Sequence, residues 1–450
     1  MKLVLRFAVL SAVTVIGFAI VVVSAQAQSA VPSTLRQSES PQAPSDWFNL
    51  NASPDYTCMG SGGPFNIIHN FTQEENGQFG AGLMAPAIDS AGNLYGTTIG
   101  GGGDNHLGLV YELSPRGQDW VFTTLYNATG GDNGEYPRAV KIGPDGALAG
   151  MALSGQSCNG YDCGLVFSLG PAPTACLTSS CNWNESVLHR FTENNDGWDP
   201  RSLAFDHAGN LYGTTNEGGA YGHGAVYELT PSGGGWTEKI LYSFTGGSDG
   251  GYPGSSTSLP VAPDGSVYGT TWAGGTYGFG VVFQLVPSAG GWTEYVLYTF
   301  TGQDDGIYPS HLRRDSSGNL FGTSSFQYSW GSVPVRVFML SPSNDGWTFG
   351  IIWQAQHHSE YIGGLALDAG DNLYGAATNS GEDNDPAHLY FETFKRTPDG
   401  RFQQWGISGL FFSLDSDVVA DRQGNLYGAT DFCGEYGLGG VWQFSGFAQF

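Results

Sequence analysis

Positive charge is scarce in this sequence. Lys and Arg number 16 against 41 Asp and Glu, for a formal net charge of -25 over 450 residues. Phosphate backbones and anionic lipid surfaces are bound through Lys and Arg that displace counterions, so nucleic acid and membrane surfaces are excluded as expected partners. Long apolar runs are equally few: after the one from Phe7 to Val23, none approaches the about 18 residues that span a bilayer. A helical composition is missing too. The chain has 70 Gly with 27 Phe, 22 Tyr and 12 Trp; Gly costs roughly 1 kcal/mol in a helix and aromatics prefer pleated surfaces. Signature motifs of catalysis are absent, with neither His-Glu-x-x-His nor a twelve-residue calcium loop. Gly246-Gly-Ser248-Asp-Gly250 fits G-x-S-x-G. A nucleophile elbow, however, needs a strand-to-helix turn, and here the stretch follows a strand in a chain with little helix signal, so it reads as a turn.

The N-terminus carries Lys2 and Arg6, the apolar run, and then Ala25-Gln26-Ala27, the small-x-small pattern that a signal peptidase cleaves. Residues 1–27 are expected to be a signal peptide, with an uncleaved membrane anchor as the alternative, and residues 28–57 a leader. The chain ends at Phe450 without an apolar tail, which favours secretion or periplasmic residence in a bacterium over anchoring.

What the chain has in abundance is repetition, and repeats take precedence over residue-level reading. Asp89-Ser-Ala-Gly-Asn-Leu-Tyr95-Gly-Thr-Thr98 recurs around Ala149, Tyr212, Tyr268, Phe321, Tyr374 and Tyr427, seven copies spaced by 54, 63, 56, 53, 53 and 53 residues. The third unit shows four strands, at residues 202–205, 210–215, 225–229 and 236–244. Turns rest on Asp side chains that bond their own backbone and on Gly. In the fourth strand, period two predicts Trp236, Ile240, Tyr242 and Phe244 on one side and Leu241 on the other. A four-stranded unit of about 53 residues is a propeller blade.

The chain ends sharpen this. The seventh copy stops after Gly440-Val-Trp442-Gln-Phe444, and Pro64-Phe-Asn-Ile-Ile-His-Asn-Phe71 has the form of a fourth strand such as Leu241-Tyr-Ser-Phe244. The expected fold is therefore an all-β, seven-bladed β-propeller over residues 58–450, closed by an N-terminal strand that completes the last blade and removes both sheet edges. An open β-solenoid or two smaller β domains are the alternatives. Six cysteines in an exported chain favour disulfides. The repeat register suggests Cys158 with Cys163, Cys176 with Cys181, and Cys58 with Cys433 as a lock on the ring; zinc is the rival reading.

Gly-Asn-Leu-Tyr-Gly-Thr-Thr, a Gly-Gly-rich loop, Gly-x-Val-Tyr/Phe-x-Leu-x-Pro and Gly-Trp-Thr-x-x-x-Leu-Tyr-x-Phe together resemble the GloVer tandem repeat of bacterial exported proteins, over about residues 60–445. The resemblance implies a fold and a compartment but no particular activity. The Asp-x-x-Gly-Asn-Leu-Tyr phrase also looks like the turn of NHL-type propellers and of calcium-dependent sugar lactonases, which hold a metal in the central channel. The channel-side residues Arg138, Arg201, His311 and Asp417 do not assemble the oxygen cluster this needs. No cofactor is expected, with calcium left open.

The recurrent Asp89, Asp206, Asp315, Asp368 and Asp421 read as turn residues, too dispersed around a ring to form an acid–base pair. A binding surface is easier to build. Tyr136, Trp198, Tyr252 and Tyr308 recur beside acids in the connection from strand four to the next blade, and the strand two to three loops at the same end add Tyr161, Tyr221, His223, Tyr277, Phe279, Tyr328 and Tyr436. Aromatic plates beside carboxylates suit glycans and protein contacts; packing between neighbouring loops is the structural alternative. Arg138 and Arg201 are scarce cations that do not follow the repeat, with pairing to an adjacent Asp or Glu as the structural alternative. The expected function is a monomeric, non-enzymatic module for an extracellular glycan or protein. The alternative is a propeller enzyme, a lyase or metal-assisted hydrolase of a carbohydrate, which would need three or four convergent Asp, Glu, Asn or His at the channel mouth.

Overall fold

The computed structural model describes residues 64–447 apart from 77–83, 104, 154–156, 159–160, 172–182, 193–194, 255–256, 258, 326–334, 356–360, 380–389, 409–416, 431–435 and 437. All of them belong to the compact unit Asp55–Phe450. The proposed signal peptide and leader, Cys58, Cys176, Cys181, Cys433 and Tyr328 lie outside the described residues.

Seven four-stranded antiparallel sheets make a seven-bladed β-propeller. Blade 3 shows how the repeated phrase folds. Its strands are Trp198–Phe205, Leu211–Glu217, Ala225–Ser232 and Gly235–Ser243. Between the first two, Asp206 Oδ1 accepts the backbone N–H of Ala208 and of Asn210, both at 2.9 Å, and Asn210 Nδ2 donates to Oδ2 at 2.8 Å. The Asp thus closes its own turn, as expected, and the same bonds recur at Asp89, Asp368 and Asp421. The Gly of Leu-Tyr-Gly-Thr has a steric reason. A Cβ on Gly213 would stand 2.2 Å from the Tyr227 ring of strand three. Gly96, Gly150, Gly269, Gly322, Gly375 and Gly428 meet Tyr111, Phe167, Phe283, Phe338, Phe394 and Trp442 in the same way, at 2.3 to 2.5 Å. Each blade therefore seats one buried aromatic ring on a bare stretch of backbone, and those rings form the core between blades.

The fourth strand departs from simple alternation. Val226 faces Tyr242 and Tyr227 faces Ile240, so Leu241 is an inserted residue, a β-bulge. Trp236 and Ile240 consequently pack with Tyr227 and Leu229 toward blade 2, whereas Leu241, Tyr242 and Phe244 pack with Phe283 and Leu285 of blade 4. The period-two assignment that put Trp236, Ile240, Tyr242 and Phe244 on one side is corrected accordingly: one extra residue turns the rest of the strand over. Blades 1, 4 and 5 carry the same bulge at Leu125, Leu297 and Ile352.

Closure follows the expected permutation. Blade 7 takes Val419–Ala420, Leu426–Thr430 and Gly440–Phe444 from the end of the chain and Phe65–Asn70 from the beginning, with Phe65 opposite Phe444 and Asn70 opposite Gly440. This composite blade packs on blade 6 through Phe65, Tyr374, Phe391 and Trp442, and on blade 1 through Phe71, Tyr111, Tyr427 and Val441. An open solenoid or a split into two β domains does not produce those contacts. The Cys158–Cys163 disulfide is present. Among the described residues no helix is long and apolar enough to cross a membrane.

Candidate functional site

The repeated Tyr-Pro pairs serve the ring itself. Tyr136, Tyr252 and Tyr308 adopt φ of 53°, 58° and 53°, a left-handed conformation unusual outside Gly. Their backbone N–H groups donate to Leu107, His223 and Phe279 carbonyls of the preceding blade at 2.7, 2.8 and 3.2 Å. Pro137, Pro253 and Pro309 then press onto Gly108, Gly224 and Gly280, where a Cβ would come within 2.5 to 2.8 Å of the proline. The pair is a latch between blades. The rings are also engaged: Tyr252 meets His223 edge-on at 5.4 Å, and Tyr308 stacks on Trp272 at 4.3 Å. The acids of this connection are likewise occupied. Asp249 and Asp305 accept from the backbone N–H and hydroxyl of Thr245 and Thr301 and from the phenols of Tyr242 and Tyr298, and Ser248 sits in that turn. Trp198 packs half-buried toward blade 2. Tyr221 and Tyr277 stand clear of all this, 61% and 58% exposed, with Tyr436 at 57%.

Blade 3 breaks the latch pattern, with Asp199 where its neighbours have Tyr. Asp199 keeps the latch backbone, with φ 60° and its N–H donating to the Cys163 carbonyl at 3.0 Å. Its side chain is buried and clamps two arginines. Arg138 Nη1 donates to Oδ1 at 2.6 Å, and Arg201 donates to Oδ2 from Nε at 2.9 Å and Nη2 at 2.6 Å. A bulge at Arg201, between Pro200 opposite Thr215 and Ser202 opposite Thr214, turns this side chain out of the ladder. Burial alone would raise the Asp199 carboxyl, but Arg201 and Arg138 hold it below its usual range.

Deeper along the inner strands, side chains from separate blades meet. Asp417, just before the first strand of blade 7, forms an ion pair with Arg313 of blade 5, Oδ1 lying 3.1 Å from Nη2, with His311 Nε2 3.6 Å from the same oxygen. Thr257 of blade 4 donates to Oδ2 at 2.5 Å, and Lys141 Nζ of blade 2 reaches the Thr257 hydroxyl at 3.5 Å. Gly364 of blade 6 supplies the space, since a Cβ there would lie 2.5 Å from Asp417 Oδ1. Five blades converge on one carboxylate, which is possible only at the axis of the ring. His311 reaches it from a backbone at φ 52°, on a bulge between Ser310 and Arg313. Its Nδ1 lies 2.7 Å from Ser310 Oγ and 3.1 Å from Thr323 Oγ1.

The electrostatics of this axial group are lopsided. Burial would push the Asp417 carboxyl up, but Arg313, His311, Lys141 and the Thr257 hydroxyl together hold it well below the carboxylate range. Burial pushes the Lys141 ammonium down to about 8 against the opposing pull of Asp417, and Arg313 adds to the fall. The His311 imidazole is also pushed down by burial, with Arg313 assisting and Asp417 opposing, so it is neutral near pH 7. Two half-buried cations thus lie around a single carboxylate, Arg313 paired with it and Lys141 reaching it through the Thr257 hydroxyl, and among the described residues neither has another acidic partner. A divalent cation does not suit a site with one carboxylate and two cations. Among the described residues no cluster of three or more His, Cys, Asp and Glu could hold a metal.

Of the residues singled out in the sequence, the structure brings Arg138 and Arg201 together through Asp199 and leaves Tyr221 and Tyr277 exposed. It spends Tyr136, Tyr252, Tyr308 and His223 on contacts between blades. Reading the repeat as a pattern missed Asp199, Lys141, Thr257 and Arg313. The signal for Asp199 was available, as the one latch position among the four aligned ones without Tyr.

The family described as the Gloeobacter/Verrucomicrobia repeat matches residues 161–390. Among curated proteins none matches the sequence. Similar solved structures include PorZ, a bacterial surface component of the type-IX secretion system of Porphyromonas gingivalis, at 13% identity over 84% of this chain and 48% of that one, TM-score 0.49. A family PL25 polysaccharide lyase, an ulvan lyase, is 12% identical over 85% of this chain and 94% of its own, TM-score 0.48. A puromycin hydrolase is 12% identical over 82% and 52%, TM-score 0.45. Likenesses this weak assign no activity.

Proposed function

The chain belongs to the Gloeobacter/Verrucomicrobia repeat family, and we propose that it is a propeller enzyme of the lyase type whose axial group binds and cleaves a carboxylate-bearing sugar. The observation that carries this reading is the excess charge at the axis. Lys141 and Arg313, both half-buried, face Asp417 as their one carboxylate among the described residues, and a partly desolvated cation without a matching anion is costly unless an anion joins it. A uronate carboxylate supplies that anion. This reading replaces the aromatic binding face as the main one, because most of the repeated aromatics and acids are committed to packing.

The chemistry follows from the neighbours. Lys141 and Arg313 withdraw charge from the bound carboxylate and so acidify the adjacent C–H, which is electrostatic stabilisation of the developing carbanion. With Nδ1–H donating to one of the hydroxyls of Ser310 or Thr323, His311 is left with a lone pair on Nε2, and its distance of 3.6 Å from Asp417 exceeds a hydrogen bond. Nε2 takes the proton alpha to the carboxylate, the C–H electron pair forms the carbon–carbon double bond, the glycosidic C–O bond breaks, and solvent protonates the departing oxygen. Asp417 orients Arg313 and touches no reacting atom.

Incubation with uronate-containing polysaccharides should produce the ultraviolet absorbance of an unsaturated uronate. His311→Gln should abolish that signal while leaving binding of the chain intact. Absence of both cleavage and uronate binding would overturn the proposal. A second reading, a non-catalytic glycan or protein module, draws on the exposed Tyr221, Tyr277 and Tyr436 at matching loop positions. It predicts binding that survives His311→Gln and Lys141→Met and is lost in Tyr221→Ala.

A further inference from the structure

We infer that the Arg138–Asp199–Arg201 clamp is an outer subsite for a neutral, hydroxyl-bearing sugar residue, so that the preferred ligand is an acidic sugar linked to a neutral one. The inference rests on the axial reading above. The clamp adjoins that site: Arg138 precedes Lys141 on the inner strand Glu135–Ile142, an offset of three residues or about 10 Å. The Leu203 N–H, two residues after Arg201, donates to the Thr257 carbonyl at 3.4 Å.

Charge separates the two places. The axis has cations in excess, whereas the clamp is ringed by acids. Glu217 lies within electrostatic reach of Asp199 and Arg201, Asp162 within reach of Arg138, and Glu135 within reach of Asp162. Burial pushes all three carboxyls up, Asp162 and Glu135 among them despite different neighbours. A second anion would meet those carboxylates, and a free cation would meet the two guanidiniums. Neither charge is favoured.

Hydrogen-bonding capacity points the same way. Arg138 spends only Nη1 on Asp199, and Arg201 spends Nε and Nη2. That leaves guanidinium N–H donors in side chains 25% and 30% exposed. Interleaved with them are carboxylate acceptors. A hydroxyl is the group that donates and accepts at once, and neighbouring hydroxyls on a sugar ring match alternating donors and acceptors without adding charge. Departure from the repeat supports the assignment: the latch needs only the backbone of Asp199, which Tyr136, Tyr252 and Tyr308 provide in three other blades, so the carboxylate is surplus to the latch.

The test is calorimetric titration of the full protein with three probes: glucuronate, glucuronate linked to a neutral hexose, and digalacturonate. The neutral-linked disaccharide should bind about tenfold more tightly than glucuronate, the worth of one or two net hydrogen bonds, and digalacturonate should show no such gain. Asp199→Asn and Arg201→Gln should each erase the gain and leave glucuronate affinity unchanged; if Asp199→Asn does not fold, Arg201→Gln carries the test. Equal affinity for glucuronate and its neutral-linked disaccharide overturns the outer subsite, as does a gain that survives both variants. A larger gain for digalacturonate would make it an anion site instead. Failure of all three probes to bind removes the axial reading and this one with it.

Discussion

Single atoms decide much of this molecule. Gly213 leaves room for the Tyr227 ring where a Cβ would intrude to 2.2 Å, while a Cβ on Gly170 would meet nothing within 4 Å. Overpacking of a fixed core typically costs about 1–3 kcal/mol. Gly213→Ala should therefore lower the stability read from urea unfolding by at least that order, and Gly170→Ala should leave it unchanged. Lys141 makes a second point. It must stay charged to hold a carboxylate, and burial has brought its titration to about 8. In the free enzyme kcat/KM should fall as pH rises through that value, and Lys141→Arg, which keeps its charge, should remove this alkaline limb. A profile that stays flat to pH 9.5, or a limb that persists in Lys141→Arg, would count against the role given to it.

Asp417 sets an opposite, acidic boundary. Its folded-state value lies below the 3.8 of an unfolded chain. Its contribution to stability is therefore fully present above that pH and drains away as pH falls toward the folded-state value. Thermal unfolding of wild type and Asp417→Asn should differ at pH 7, and the gap should hold down to about pH 4 and begin to narrow only as the pH is lowered below 3.8. A gap independent of pH would mean that the side chain matters for packing alone.

Strands and loops set where those atoms go. Bulges are the main device: the one at Leu241 reverses the fourth strand of blade 3, that at Arg201 lifts its side chain out of the ladder onto Asp199, and that at His311 lifts its side chain toward Asp417 at the axis. The Cys158–Cys163 disulfide belongs to the same level. It closes the loop whose Cys163 carbonyl receives the Asp199 N–H, in the place where blades 3 and 4 use Gly218-Gly219 and Gly274-Gly275. A loop this short limits the entropic gain to roughly 2 kcal/mol. Replacing both cysteines with Ser should lower stability by about that amount and, because the clamp backbone loosens, weaken the neutral-linked disaccharide more than glucuronate. Equal loss for both sugars would detach the disulfide from the clamp.

The ring as a whole depends on a strand from the far end of the chain. Phe65–Asn70 covers the edge of Gly440–Phe444 and packs on blades 6 and 1. Removal of residues 65–70 would expose that edge, which is a template for pairing with other chains. Size-exclusion chromatography should show the shortened protein as oligomers or aggregate, and a stable monomer would argue that the last blade tolerates three strands.

What the sequence by itself determined is the repeating unit. Asp-turns, aromatic-on-glycine seats and latch prolines act over a few residues, so seven recurrences of one phrase carried the blade count, and the split of strands between the two ends carried the closure. Its predictions failed where one residue changed the count, as at Leu241, because alternation has no memory of a bulge. They put His311 and Asp417 on the channel side but could not bring them together, for a related reason. Thr257 and Asp417 are 160 residues apart in the chain, and Lys141, His311 and Arg313 come to them only after the ring closes, His311 from a bulge of its strand. Only the tertiary structure decided that encounter, since a local pattern reports where a strand runs while the meeting of charges depends on how seven sheets share one axis.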